Sequence, residues 1–331
     1  MGERTTATGG PWLTVLTATA PAVWGTTYLV TTELLPPGHP LWLGVLRALP
    51  AGLVALAVVR RLPRGVWWWR AAVLGTLNFG AFFALLFVAA YRLPGGVAAT
   101  LGGAQPLLVA GLALALLGTA PRRWQLGWAV AGLAGVGLLV LRADAALDAV
   151  GVLAGLTGTA AMATGIVLTK RWGRPVGAVT FTAWQLVAGG AVLLPVALVV
   201  EGPPPAPTGA ALAGYAWLGV VGTLAAYAVW FRGIGRLPVT SVSFLGLVSP
   251  TVAAVLGWLV LGQALTPLQL LGFALATGAV VAAQLTPAGG RRGGAAAVGR
   301  LSRSRPGPGR GSRPGRDPRP AGAAPRVPAS C

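Results

Sequence analysis

Cysteine and histidine occur once each in 331 residues, as Cys331 and His39, and acidic residues only six times. One thiol excludes a disulfide within the chain, and one cysteine with one histidine excludes a Cys/His zinc site. Membrane enzymes show clustered acids, histidines or a nucleophile with its base, and no apolar segment here holds such a cluster. There is no Gly-x-x-x-x-Gly-Lys-Ser/Thr loop, so an ATP site of that type is excluded as well. No metal and no cofactor is expected. Charge itself is scarce: 9% of residues are charged, against about 25% in soluble domains.

Apolar residues, at 55%, fill the place of charge. Ten stretches have the length, about 17 to 25 residues, that crosses a hydrocarbon core as helix. They begin near Trp12, Leu41, Trp67, Gly95 and Trp124, then near Val150, Gly177, Ala210, Val239 and Pro267. Soluble helices need a polar face, which these lack. The expected fold is therefore an all-α integral membrane protein with ten transmembrane helices. The first stretch is too long for a signal core of about 7 to 15 residues and is read as helix one. The opening Met-Gly-Glu-Arg-Thr-Thr fits a myristoylation pattern, but a chain with ten spans needs no lipid anchor.

A net charge of +19 would ordinarily point to nucleic acid, but the placement of the charge points elsewhere. The even loops between helices carry Arg60, Arg61, Arg64, Arg70, Arg122, Arg123, Lys170, Arg171, Arg174, Arg232 and Arg236; the odd loops carry Arg92 and Arg142. The positive-inside rule then puts the even loops and both termini in the cytoplasm of a multi-pass cell-membrane protein. Ten further arginines follow Gly290, in a glycine-, proline- and serine-rich tail without apolar periodicity. Residues 287–331 are expected to be a disordered, cytoplasmic, basic tail. A membrane-tethered RNA or anionic-lipid binder acting through that tail is the reading of another class.

Residues 92–106, RLPGGVAATLGGAQP, return in outline as RLPVTSVSFLGLVSP at 236–250, an offset of 144. Without gaps, 92–127 and 236–271 share 13 identities in 36 positions, among them Gly102/Gly246 and Pro106/Pro250. Five helices separate the copies, and an odd number of crossings inverts the second. The chain reads as two inverted five-helix repeats, a plan of many secondary transporters. Pro106 and Pro250 fall about 18 Å into their helices at 1.5 Å per residue, near the bilayer midplane. Each proline pushes against the carbonyl four residues back, that of Gly102 or Gly246. These four residues are expected to be hinges beside a central cavity.

These residues carry a resemblance. With WGTTYL in helix one, LRALPAG in helix two, its counterpart WQLVAGG in helix seven, and frames ending ALLG and LVLG, the chain is similar to the EamA-type ten-helix transporters of the drug/metabolite transporter superfamily. The resemblance covers residue 12 to about 286, and implies EamA-like repeats at 12–142 and 150–286 after a short cytoplasmic N-terminus at 1–11. Where such transporters usually read Leu-Gly-Glu at the ends of helices four and nine, this sequence has Thr119 and Gln263.

Arg47 is the one charge well inside a predicted span, which makes it a candidate to bind an anionic group or, structurally, to pair with Glu33. Trp24, Thr27, Tyr28 and Thr31 share one face of helix one. Phe79, Phe83 and Phe87 in helix three are answered at the same offset by Thr223, Tyr227 and Phe231. Gln105 and Gln185 complete the expected cavity set with Phe83 and Tyr227. Helices five and ten carry small residues at helical spacing, suited to close packing or a homodimer contact. The expected function is a secondary transporter, an exporter of small metabolites, amino-acid-like compounds or drugs by alternating access. Its partners are the solute, membrane lipids and a proton or counter-substrate. A carrier of sugar-nucleotides or lipid-linked intermediates is the same-class alternative.

Overall fold

The computed structural model describes residues 11–93, 101–140, 148–206, 208–261 and 266–285, and every regular element in them is helical. In chain order the helices are α1 (Pro11–Trp24), α2 (Thr27–Leu34), α3 (Pro40–Val59), α4 (Trp67–Arg92), α5 (Gln105–Leu117) and α6 (Arg123–Val140). The second half contains α7 (Ala149–Trp172), α8 (Ala178–Glu201), α9 (Gly209–Arg236), α10 (Val239–Leu245), α11 (Val248–Leu261) and α12 (Pro267–Gln284). The N-terminal ten residues, the basic tail and Gln263 lie outside the described residues.

Eight spans among the described residues are long and apolar enough to cross a membrane. Each begins within one position of an expected start, for example Pro40 against Leu41 and Ala149 against Val150. The two expected spans without a counterpart are helices four and five. Gly95, where helix four was expected to begin, is outside the described residues, and the described part, α5, is apolar but 13 residues long. Helix α6 reaches 18 residues but opens on Arg123 and Gln125, polar groups that dilute its first turns.

Local signals set the ends. Pro40 and Pro267 stand in first turns, where a missing N–H is harmless. Thr266 and Gln269 form a reciprocal capping box. Asp148 Oδ1 accepts from the Val150 N–H at 2.7 Å. The N-terminus of helix α3 has no side-chain cap of its own; the Glu201 carboxylate at the end of α8 accepts from the Leu41 and Trp42 N–H groups at 2.7 and 3.0 Å. A chain contact 160 residues apart thus replaces a local one.

Two glycines allow a close crossing of α4 and α8. A Cβ on Gly75 of α4 would collide with the Gln185 carbonyl, and one on Gly189 of α8 with the Gly75 carbonyl, so the backbones touch where only glycine fits. Helices α6 and α12 pack on each other and, through Phe244 and Leu247, on the α10 region. Gly135 sits against Ala276, Ala129 and Val136 join Ala279 in a separate apolar cluster, and Trp124 Nε1 donates to the Ala282 carbonyl at 3.0 Å. This intrachain pairing occupies part of the small-residue surface. Elsewhere Val54, Val58, Val199 and Leu259 are exposed, as expected of surface that faces lipid rather than water.

Candidate functional site

Two helical rods are interrupted near their middles. One breaks at Gly25 and Thr26, between α1 and α2, the other at Gly246 and Leu247, between α10 and α11; a short turn at Gly103 and Ala104 precedes α5. At the turns the bonds tighten to three-residue closures, Ala104 N to Leu101 O at 3.2 Å and Leu247 N to Phe244 O at 3.0 Å. This corrects the expected mid-helix kinks. Pro106 and Pro250 stand in the first turns of α5 and α11, where proline blocks no intrahelical bond.

A cavity of about 600 Å³ opens beside these breaks. It is lined by Trp24, Thr27, Thr31, Arg47, Phe83, Gln105 and Tyr227 from the expected set, and by Gly102, Gly246 and Pro250 from the repeated frame. Pro106 is buried outside its lining, and the side chain of Tyr28 lies outside the described residues. Residues the sequence reading missed also line it: Gly155, Gly158, Thr159 and Met162 of α7, and Ser249. The three-residue step between the two α7 glycines was a legible signal for one open helix face. The lining runs from the breaks to Leu35, Pro37 and Tyr91, beside odd loops.

Arg47 is 2% exposed. Its Nε donates to Thr223 Oγ1 at 2.7 Å, its Nη2 to the Gly222 carbonyl at 3.2 Å, and its guanidinium lies 4.6 Å from the Phe83 ring centre. Glu33, the pairing entertained from sequence, is exposed and is not among these partners. The Gly222 carbonyl also accepts from Trp24 Nε1 at 3.0 Å. Gly222 lies in a π-helical stretch of α9, Trp217–Ala225, where wider turns release carbonyls for such use. In the same cavity Thr27 Oγ1 and Thr31 Oγ1 are buried and have no hydrogen-bond partner among the described residues.

Towards the even loops the space is filled. Below Phe83, Phe79 meets Tyr227 at 4.5 Å and Phe231 at 6.2 Å; Phe231 meets Phe181 at 5.4 Å, and Phe181 meets Trp67 at 5.9 Å. Lys170 Nζ, at the end of α7, donates to the carbonyls of Ile234 at 3.0 Å and Leu237 at 2.8 Å, a cation closing a helix C-terminus. Arg174 beside it is held below the usual guanidinium range by burial, and further by Arg236 and Arg232. The aromatic stripe expected as one unit therefore divides. Phe83 and Phe87 face the cavity, while Phe79 belongs to the packing beneath it.

Gln185 is fully buried away from the cavity. Asn78 Nδ2 donates to Gln185 Oε1 at 2.7 Å, and Gln185 Nε2 donates to the Phe181 carbonyl at 3.3 Å. Asn78 lies in the π-helical stretch of α4, Thr76–Ala81. Two polar clasps result, Arg47 of α3 on the π-stretch of α9 and Gln185 of α8 on the π-stretch of α4. The positions correspond: Gly222 follows Asn78 by 222 − 78 = 144, the offset of the repeated frame.

The EamA-like transporter family matches the chain twice, over residues 12–141 and 149–283. Protein PecM of Dickeya dadantii is 47% identical over 267 residues, covering 80% of this chain and 90% of that protein. The uncharacterized inner membrane transporter YedA of Escherichia coli is 28% identical over 269 residues, covering 78% and 86%. The uncharacterized transporter YwfM of Bacillus subtilis is 27% identical over 263 residues, covering 76% and 86%. A crystal structure at 22% identity superposes with a TM-score of 0.70 over 83% of this chain and 98% of that one, a likeness of fold. With apolar helices enough to cross a membrane many times and a family match that repeats over both halves, the chain belongs to the EamA-like transporter family of the drug/metabolite transporter superfamily and is a multi-pass membrane transporter.

Proposed function

We propose that the chain is a ten-span secondary carrier of two inverted five-helix repeats, with both termini cytoplasmic, that exports a small organic solute by alternating access. One observation carries the reading: a cavity of about 600 Å³ at the interrupted helices reaches the odd-loop side, while Lys170 and the column from Phe79 to Trp67 fill the even-loop side. This is the arrangement of a carrier with its outer mouth available and its inner route shut. Support for two exchangeable routes comes from the paired clasps and the matched π-stretches of α4 and α9.

The lining favours a solute with an aromatic or aliphatic body and one polar end. Phe83, Phe87, Trp24 and Tyr227 offer apolar and ring surface, and Arg47 with the open hydroxyls of Thr27 and Thr31 offers donors at one place. Pockets of this size gain affinity from the walls and orientation from the few polar groups. A carboxylate suits Arg47, whose planar fork donates to two oxygens at once. The domain reading, 12–142 and 150–286 as two repeats, belongs to the same proposal.

Flux of amino acids, purines and cationic dyes into proteoliposomes, with and without a pH gradient, tests this. Arg47→Ala should abolish most carboxylate transport in protein that still elutes as one species, and Arg47→Lys, which keeps charge without the fork, should restore part of it. Undiminished carboxylate flux in Arg47→Ala would remove that residue from the solute site. Failure of every solute class to cross would remove the carrier reading.

A further inference from the structure

Away from the cavity, the start of α4 holds an arginine whose donors are idle. The Arg70 guanidinium carbon lies 5.4 Å from a Trp67 ring centre, 5.7 Å from Trp69 and 5.4 Å from Trp172. Trp69 and Trp172 meet edge to face at 5.0 Å, and Phe181 braces Trp67 at 5.9 Å. Three indoles attract the cation and fix its plane. They do not satisfy its N–H groups. Among the described residues no oxygen accepts from the Arg70 guanidinium, and its Nε is buried with no hydrogen-bond partner. A guanidinium presents five donors in a fork that fits a phosphate or carboxylate.

Among the described residues no carboxylate lies nearby: Glu33, Asp148 and Glu201 sit by odd loops, at the other ends of the helices. What surrounds the cage is positive. Trp67 N donates to the Arg64 carbonyl at 3.1 Å and Trp184 Nε1 to the Arg61 carbonyl at 2.6 Å, so the loop with Arg60, Arg61 and Arg64 is tied down beside it. Arg171, next to Trp172, is exposed. Trp68 and Trp69 are half exposed, and tryptophans in a membrane protein collect at headgroup depth.

We propose that Arg70, caged by Trp67, Trp69 and Trp172, binds the phosphate of an anionic phospholipid. The phosphodiester oxygens meet the idle fork, the arginine rim adds attraction, and the acyl chains run along apolar helix surface. A zwitterionic lipid carries its own cation into that rim and is disfavoured, as basic pockets at the cytoplasmic surface generally favour anionic headgroups.

The test is thermal unfolding of the full-length protein in neutral detergent, titrated in parallel with phosphatidylglycerol, phosphatidylcholine and inorganic phosphate. Phosphatidylglycerol alone should raise the midpoint. Arg70→Gln should shift its half-saturating concentration about fivefold upward, the contribution of one basic residue at an anionic surface. Arg123→Gln, on another basic loop, should follow wild type. An equal response to phosphatidylcholine, or an Arg70→Gln titration that coincides with wild type, overturns the site. A matching response to inorganic phosphate makes it a free-anion site and overturns the lipid assignment. Should Arg70→Gln fail to purify, Arg70→Lys carries the comparison: a weakened titration supports the site and an unchanged one overturns it.

Discussion

Replacing Lys170 by methionine should open the even-loop side. The Lys170 ammonium donates at 2.8 Å to Leu237 O and at 3.0 Å to Ile234 O, with Gly235 O at 3.5 Å as a marginal third. Charge-assisted bonds contribute about 1.5 kcal/mol or more each. Because Lys170 is partly exposed, part of that returns as hydration, leaving a net loss of about 2 kcal/mol for the two good bonds. These bonds form only while the end of α7 rests on the end of α9, so their loss acts on that closed arrangement alone. A change of about 2 kcal/mol is roughly thirtyfold in the ratio of closed to open. Thr180, buried near the same end of α8, is the reporter. With Cys331 changed to serine, Thr180→Cys should react with a maleimide roughly ten to thirty times faster in Lys170→Met than with lysine present, the upper limit being the full shift above. Lys170→Arg should keep most of the protection. An unchanged labelling rate in folded Lys170→Met protein would show that the aromatic column closes this side unaided.

The repeated frame makes a different demand on its two glycines. A Cβ at Gly102 meets nothing within 4 Å, whereas one at Gly246 comes within 3.0 Å of Gln105 Oε1; Gly102→Ala should therefore leave the unfolding temperature unchanged while Gly246→Ala displaces Gln105 and lowers flux more. Equal flux in the two variants would refute the distinction. Asp148 is held below the usual carboxylate range first by Arg92, at 3.0 Å, and then by the Val150 N–H. A depressed folded value stabilises above the unfolded pKa and is lost as pH falls through the folded one, so Arg92→Gln should move acid unfolding to higher pH. An acid midpoint that does not move would discount the pair.

Span positions were legible because they depend on one-dimensional features: the length of an apolar run and the turn residues at its ends. Pro40, Thr208, Thr266 and Pro267 mark helix starts in the chain as they do in space. The face bearing Trp24, Thr27 and Thr31 was readable for a similar reason, since hydroxyls spaced by three and four in an apolar helix have one side to share. Partners were not readable. Arg47 meets Thr223 across 176 residues and Asn78 meets Gln185 across 107, and nothing local in either sequence stretch specifies those meetings. Gln185 shows the cost of that blindness. It was expected in the cavity set, but a buried amide on an opposing helix, Asn78, donates to its oxygen instead. The π-stretches were equally hidden, because α4 and α9 are apolar on nearly every face and a change of turn has no hydrophobic stripe to break.

The Gly222 carbonyl has two lone pairs, and the structure assigns both, one to the Trp24 indole at 3.0 Å and one to Arg47 at 3.2 Å. No spare capacity is left on that oxygen. A solute that draws the guanidinium towards its own oxygens therefore competes with α9 for the same donor, and on winning loosens α3 from α9 while leaving the indole bond of Trp24 intact. If Arg47 holds the solute as proposed, occupancy of the cavity is registered in the helix contacts as a vacancy on one carbonyl oxygen of α9.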